Sequence, residues 1–335
     1  MANAILGKVA YIPAERIIVS LPGIQQTDLP YNSLRSFIFD WSKIRTKYNE
    51  NNPVLIDDLN QKYYYDENSG RDMMVLESGK EIPFMESSSG IQSYVPLHIS
   101  LKYLTEWIYN NQEDISYEKQ DLIDSVVARF FLNEKEISGG DYTEQSFAII
   151  KKQDHIQRII KSLSKIDESD SSISNPKDEF ESALSRAIDL RKRISKAHFS
   201  DIVIEEPELN LFPETQCSMI RVILEIVSRE RDNFIITTHS PYILYALNNY
   251  MLGWLVKDTL AEENVEGFSS QKSFFVDPKK VSVWEIKDGT FWPLDNKVNG
   301  TIQDSDGLIR RNYFNKSMKS IMKDFNTFLG YYDKD

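Results

Sequence analysis

Two short stretches carry residue types able to do chemistry on a phosphate. Asp201-Ile202-Val203-Ile204-Glu205-Glu206-Pro207-Glu208 is an apolar run that ends in acids. Thr237-Thr238-His239-Ser240-Pro241 closes a second apolar run about one helix later. Adjacent carboxylates can serve Mg²⁺ and an attacking water, and a histidine delivered beside them comes within reach of the same phosphate.

The elements that must position these groups follow from the pattern around them. Ile202, Val203 and Ile204 are consecutive β-branched residues without polar alternation, which predicts a strand buried on both faces of a parallel sheet. Its carboxylates then emerge at the carboxyl end, the edge where open α/β sheets bind ligands. Pro207 stops the strand. Met219, Ile220, Ile223, Ile226 and Val227 repeat at helical spacing and predict a crossover helix over residues 215–229. Phe234, Ile235 and Ile236 predict the next buried strand, with His239 leaving its end beside the acids.

Upstream, residues 8–13 read as a short strand. Leu34, Phe37, Ile38, Trp41, Ile44 and Tyr48 fall on one helix face, and residues 73–76 and 81–84 flank Ser78-Gly79 as a hairpin. Next comes Glu86-Ser87-Ser88-Ser89-Gly90-Ile91-Gln92, before a helix with Leu97, Leu101, Leu104 and Ile108 on its face. Hydroxyls and a glycine at a helix start leave N–H groups that can hold an anion; an ordinary serine N-cap is the simpler account of the same residues.

A polar, largely helical insertion is expected over residues 110–200, ending in the basic residues Arg186, Arg191, Lys192, Arg193, Lys196 and His198. That cluster offers a contact for DNA or acidic protein, or else a solvated face. Downstream, residues 281–286 and 290–294 flank an Asp288-Gly289 turn, and residues 312–329 predict a final helix. Asp304-Ser305-Asp306 reads as an acidic loop rather than a metal-nuclease D-x-D, since no apolar strand precedes it.

The 335 residues, 41 % hydrophobic, suffice for one large or two modest cores. A net charge of −12 argues against nucleic-acid binding by bulk electrostatics, though a local basic patch remains open. No apolar run reaches the roughly 18 residues needed to span a bilayer, so no membrane is expected and a cytoplasmic location is. A single cysteine, Cys217, excludes an internal disulfide and predicts a buried side chain.

IVIEEPELNLFPETQ followed by FIITTHSPYIL resembles the Walker B, D-loop and His-switch segments of ABC-type ATPases, in the branch containing SMC, RecF and the overcoming-lysogenisation-defect (OLD) proteins. Tyr11-Ile12-Pro13-Ala14-Glu15-Arg16 resembles the "PAER" segment of the OLD-like members, and SSSGIQ resembles the ABC signature. The resemblance implies a P-loop NTPase core of ABC type: α/β, with a mostly parallel sheet, a helical insertion and a C-terminal β-hairpin. It implies ATP and Mg²⁺, with Glu206 as general base, His239 on the γ-phosphate and Glu205 on the metal side where the family has Asp. Glu208, Leu209 and Asn210 would form the D-loop. Ser88, Ser89, Gly90 and Gln92 would reach a nucleotide held by the opposite subunit of a homodimer. It further implies a nuclease or other effector partner, in DNA repair or antiphage defence. The corresponding division is residues 1–95 as partial core, 96–200 as signature helix and insertion, 201–295 as catalytic core and 296–335 as helical tail.

No G-x-x-x-x-G-K-[ST] occurs in the sequence; Gly79-Lys80 fails at Met74 and Glu81. The Walker A lobe that the resemblance places at the amino end is therefore expected to be missing. Three explanations stay open: a truncated product, a lobe supplied separately, or a natural pseudo-ATPase acting as a partner-binding scaffold. A metal-dependent nuclease using Glu205, Glu206 and Asp304 is a third functional class.

Overall fold

The computed structural model describes residues 6–24, 27, 32–56, 59–110, 189, 197–262, 271–287, 289–292, 301–310 and 312–332. By compactness the chain divides into two units, Met1–Val9 with Lys102–Asp201, and Ala10–Leu101 with Ile202–Asp335. The acids after Ile204, His239 and Arg16 all belong to the second unit.

Strand β1 (Leu6–Ile12), β6 (Ala197–Glu205) and β7 (Asn233–Thr237) form a parallel three-stranded sheet in the order β1-β6-β7. A parallel neighbour needs a crossover, and between β6 and β7 it is helix α3 (Pro213–Val227). Pro213 starts α3 at a position where the missing N–H costs nothing, and Met219, Ile220, Ile223 and Ile226 are buried as their spacing predicts. Helix α4 (Pro241–Glu262) follows β7 and packs on α3. Mixed α/β layering with acids at the carboxyl edge of a parallel sheet is the arrangement of a P-loop NTPase core.

Three burial expectations are corrected. Strand β6 alternates, with Ser200, Ile202 and Ile204 buried and Val203 half-buried, the pattern of a strand with one better-covered face. Strand β7 is an edge strand among the described residues, and Ile235 is 64 % exposed while Phe234 and Ile236 are half-buried. Apolar composition alone does not report whether a layer lies over a strand. Cys217 is likewise half-buried on α3 rather than buried.

The hairpin read around Gly79 belongs to a larger antiparallel meander, β2 (Val54–Ile56), β3 (Gln61–Asp66), β4 (Arg71–Val75) and β5 (Glu81–Pro83). Tyr63 opposes Met74 and Val75 opposes Glu81. Helix α1 (Ser33–Arg45), capped by Asn32, supplies Trp41, whose ring lies 5.8 Å from that of Tyr63; Phe84 packs edge-on to Tyr63 at 6.0 Å. Asp72 takes 2.5 Å and 3.0 Å bonds from Tyr63 and Arg45. Burial pushes the Asp72 carboxyl up against the opposing pull of both donors.

Helix α2 (Ser89–Lys102) continues through a π-helical turn, Tyr103–Trp107, into Ile108–Asn110, and buries Leu97, Leu101, Leu104 and Ile108. The insertion expected over residues 110–200 lies outside the described residues except Asn110, Asp189 and the start of β6. The downstream hairpin is β8 (Glu285–Lys287) and β9 (Thr290–Trp292), a separate two-stranded sheet turned at Gly289, whose φ of 74° only glycine adopts freely. Helix α5 (Tyr313–Tyr332) ends the described chain.

Candidate functional site

The end of β6 is held by an arginine. Arg16 lies in the 3₁₀ segment Ala14–Ser20 after β1, is fully buried, and spends all five N–H groups on main-chain carbonyls. Its Nε donates to Ser93 O at 3.0 Å and its Nη1 to Pro13 O at 3.2 Å and Glu205 O at 3.1 Å. Its Nη2 donates to Glu206 O at 3.1 Å and Pro207 O at 2.9 Å. One planar cation thus joins β1, α2 and the turn that carries the acids. Desolvation pulls its pKa down to about 10, opposed by the negative charges of Glu208 and Glu206, so it stays cationic at neutral pH.

That clamp meets a strained residue. Glu206 has φ of 41°, the left-handed region that a branched or long side chain visits at a cost. Its N–H donates to Thr237 O at 3.0 Å, tying the turn to the end of β7, while its carbonyl accepts from Arg16. The Glu206 Oε1 lies 3.6 Å from His239 Nε2, with His239 86 % and Glu206 33 % exposed. His239 is in turn placed through its backbone, whose N–H donates to Glu208 Oε1 at 2.6 Å.

Glu205 points elsewhere and accepts a hydrogen bond from the Tyr11 hydroxyl at the end of β1. This bond, with desolvation and the carboxylate's charge, pushes the Tyr11 pKa up to about 12. Glu208 begins the turn that closes with Leu211 N–H on Glu208 O at 2.9 Å, and Asn210 takes φ of 64° within it. Ser240 caps α4, accepting from Tyr242 and Ile243 N–H at 3.1 and 3.4 Å, and donates at 2.5 Å to Gln216 on α3. The acid–histidine edge therefore rests on β1, β6, α3, β7 and α4.

The SSSGIQ segment sits beside this edge. A side chain on Gly90 would lie 3.1 Å from the carbonyl oxygen of Asn210, so the glycine permits a close approach of the α2 start to the 208–210 turn. Ser88 Oγ accepts from Ile91 N–H at 3.4 Å, the geometry of a helix cap, and Ser89 opens α2. The Gln92 amide is fully used at home: its Nε2 donates to Met85 O and Ser87 O at 2.8 and 2.7 Å, and its Oε1 accepts from Ser20 at 3.1 Å.

For a metal, Glu205 and Glu206 offer the hard oxygen donors that Mg²⁺ takes. Among the described residues no group of three or more His, Cys, Asp or Glu side chains is arranged to hold an ion. Mg²⁺ is commonly held by one or two carboxylates with substrate phosphates and water supplying the rest, so the pair fits an ion that arrives with a nucleotide and not a resident one. Asp304 is far from such a role. Its Oδ1 accepts from Asp306 and Leu308 N–H at 3.0 and 2.9 Å and its Oδ2 from Arg310 at 2.8 Å. Burial raises its pKa, but those donors outweigh burial and leave the carboxyl below its ordinary value. It organises its own loop.

Comparison with known proteins places a family name on part of this edge. Residues 189–244 match the family described as AAA ATPase domain. The match runs through β6, α3 and β7 to the start of α4, and so covers Glu205, Glu206, Glu208 and His239. It supports an AAA-type, nucleotide-using segment. Neither curated proteins nor solved structures yield a match.

Arg16 and Tyr11 lie outside that match, as does the SSSGIQ segment. The sequence shows Arg16 only as part of the PAER segment; its role as a five-fold carbonyl clamp had no local signal, because its partners are between 3 and 191 residues away.

Proposed function

We propose that the chain is an ABC-type ATP-hydrolysing switch of the OLD/SMC/RecF-like branch, acting as a homodimer with a nuclease or other effector in DNA repair or antiphage defence. The carrying observation is the Glu206–His239 pair at 3.6 Å, set on a left-handed Glu206 at the carboxyl edge of a parallel sheet. In the reaction, a water oxygen attacks the γ-phosphorus and the bond from that phosphorus to the β–γ bridging oxygen breaks. Glu206 accepts the water proton, ADP leaves with the bridging oxygen, and inorganic phosphate forms. His239 contacts the γ-phosphate, and its 86 % exposure leaves its ring open to a nucleotide. Mg²⁺, when bound with ATP, would supply charge neutralisation on the phosphates, and Glu205, freed from Tyr11, would be the side chain that holds it. Ser88, Ser89 and Gly90 act on the nucleotide of the opposite subunit, and the 208–210 turn lies beside them.

A second reading, a nucleotide-independent scaffold, is favoured by the same SSSGIQ segment: Gln92 has its amide committed to three internal bonds and Ser88 caps α2. Phosphate release and nucleotide crosslinking by the purified chain separate the two. Turnover that falls about 10²–10⁴-fold in Glu206→Gln supports the hydrolase. No nucleotide binding at about 1 mM ATP, near the upper end of ordinary KM values, would reject autonomous catalysis in favour of the scaffold.

A further inference from the structure

Hydrogen bonds among the described residues hold helix α5 at its start. Asn312 Oδ1 caps it through Asn315 N–H at 2.9 Å, the Tyr245 hydroxyl donates to Asn315 Oδ1 at 2.7 Å, and Glu285 accepts from Tyr313 N–H at 3.2 Å. Beyond that, every residue over 318–329 is exposed. This is not a polar helix. Met318, Ile321, Met322, Phe325, Phe328 and Leu329 are between 41 and 71 % exposed.

The spacing of these residues says what covers them. Phe314, Met318, Ile321, Phe325 and Phe328 lie four, three, four and three residues apart, a 3.5-residue repeat that keeps one seam along a helix facing a second helix. In heptad terms Phe314, Ile321 and Phe328 are d positions and Met318 and Phe325 are a positions. Lys316, Lys319 and Lys323 fall on the opposite face. The exposed area of the six side chains is roughly 600 Å², taking large apolar residues at about 200 Å² each when free. That exceeds the few hundred Å² a monomer commonly leaves contiguous and approaches the roughly 800 Å² per partner of a standard interface. An isolated stretch of about 12 residues rich in Phe, Ile, Asn and Thr is a marginal helix in water, so a partner is needed to hold it.

We infer that α5 is a self-association seam, pairing antiparallel with α5 of a second copy of this chain. The flanking positions decide the direction. Over residues 317–329 the e positions hold Met322 and Leu329, while the g positions hold Ser317 and Asp324. Antiparallel pairing sets e against e and g against g, joining apolar flank to apolar flank. Parallel pairing would set the Asp324 carboxylate against the apolar Leu329 of the partner and break up that apolar flank. Antiparallel helix dipoles also attract. This dimer does not depend on nucleotide, so it stands or falls separately from the hydrolase reading.

The test is sedimentation equilibrium on the full chain without nucleotide. Wild type is expected to give a dimer mass in the micromolar range. Ile321→Lys/Phe325→Lys is expected to give a monomer with an unchanged thermal midpoint for the rest of the fold, and Lys323→Glu, on the opposite face, a dimer. In a Cys217→Ser background, Met322→Cys should form an intermolecular disulfide across the e–e flank, which a parallel pair would not allow. A monomeric wild type would overturn the proposal, whether or not it sediments with phosphatidylglycerol–phosphatidylcholine vesicles, the outcome expected of a membrane-surface helix. So would a dimer that survives the double lysine variant.

Discussion

Replacing Arg16 by methionine would strip five donors from the point where β1, α2 and the β6 turn meet. Methionine keeps most of the aliphatic stem, so the loss is polar rather than a void. The carbonyls of Pro13, Ser93, Glu205, Glu206 and Pro207 would lose a partner around a residue that is 0 % exposed. A buried acceptor left without a donor costs about 1–3 kcal/mol. Carbonyls tolerate under-satisfaction better than amides do, and removing the buried cation recovers part of its desolvation cost. The net expectation is about 3–5 kcal/mol, the range found when a buried charged network loses one member. For a cooperative unit of a couple of hundred residues that is roughly 10 °C in Tm. Arg16→Lys has only three donors and cannot fork, so it should recover part of the loss. Urea unfolding followed by circular dichroism would measure both variants. A loss below about 1 kcal/mol for Arg16→Met would mean that water replaces the guanidinium at little cost, and the clamp assigned to Arg16 would be wrong.

Two further outcomes follow from the same turn. Glu206→Gly should raise stability by about 1 kcal/mol, since glycine relieves the strain of a φ of 41° and that relief exceeds its entropic cost; thermal unfolding would show it, and a destabilised variant would mean the Glu206 side chain holds the turn. Tyr11 should titrate near pH 12 against an unfolded value of 10.0. A folded pKa above the unfolded one means that its contribution is complete below pH 10 and lost as pH rises toward 12. Tyr11→Phe should therefore remove a stability increment seen at neutral pH and absent near pH 12, checked by unfolding at both; equal effects at the two would reject the Tyr11–Glu205 bond as the cause.

Much of the edge was readable from local pattern. The apolar runs of β6 and β7, the 3.6-residue repeat of α3 and the placement of Glu205, Glu206 and His239 at strand ends all follow from periodicity, which acts over a few residues. The hairpin at Gly79 and the turn at Gly289 were legible for the same reason, since glycine takes the positive φ of each turn without strain. Strands β2 and β3 were not, because Gln61–Asp66 carries three consecutive tyrosines rather than an alternating pattern. Its Tyr63 is buried only by virtue of Trp41 and Phe84 arriving from elsewhere.

What sequence alone determined is a set of chemical groups and the short elements that carry them: two acids, a histidine, a helix start rich in hydroxyls, and an amphipathic tail. Tertiary structure decided how those groups are held. It set Glu206 in a left-handed conformation, closed Tyr11 on Glu205, spent the Gln92 amide on its own loop, and left β7 half-open. The placement of Glu206 and of Tyr11 depends on contacts between residues far apart in the chain, of which Arg16 with Pro207, 191 positions away, is the clearest. Periodicity reports which side of an element is apolar; only packing reports what lies against it, and so which polar group is free to act.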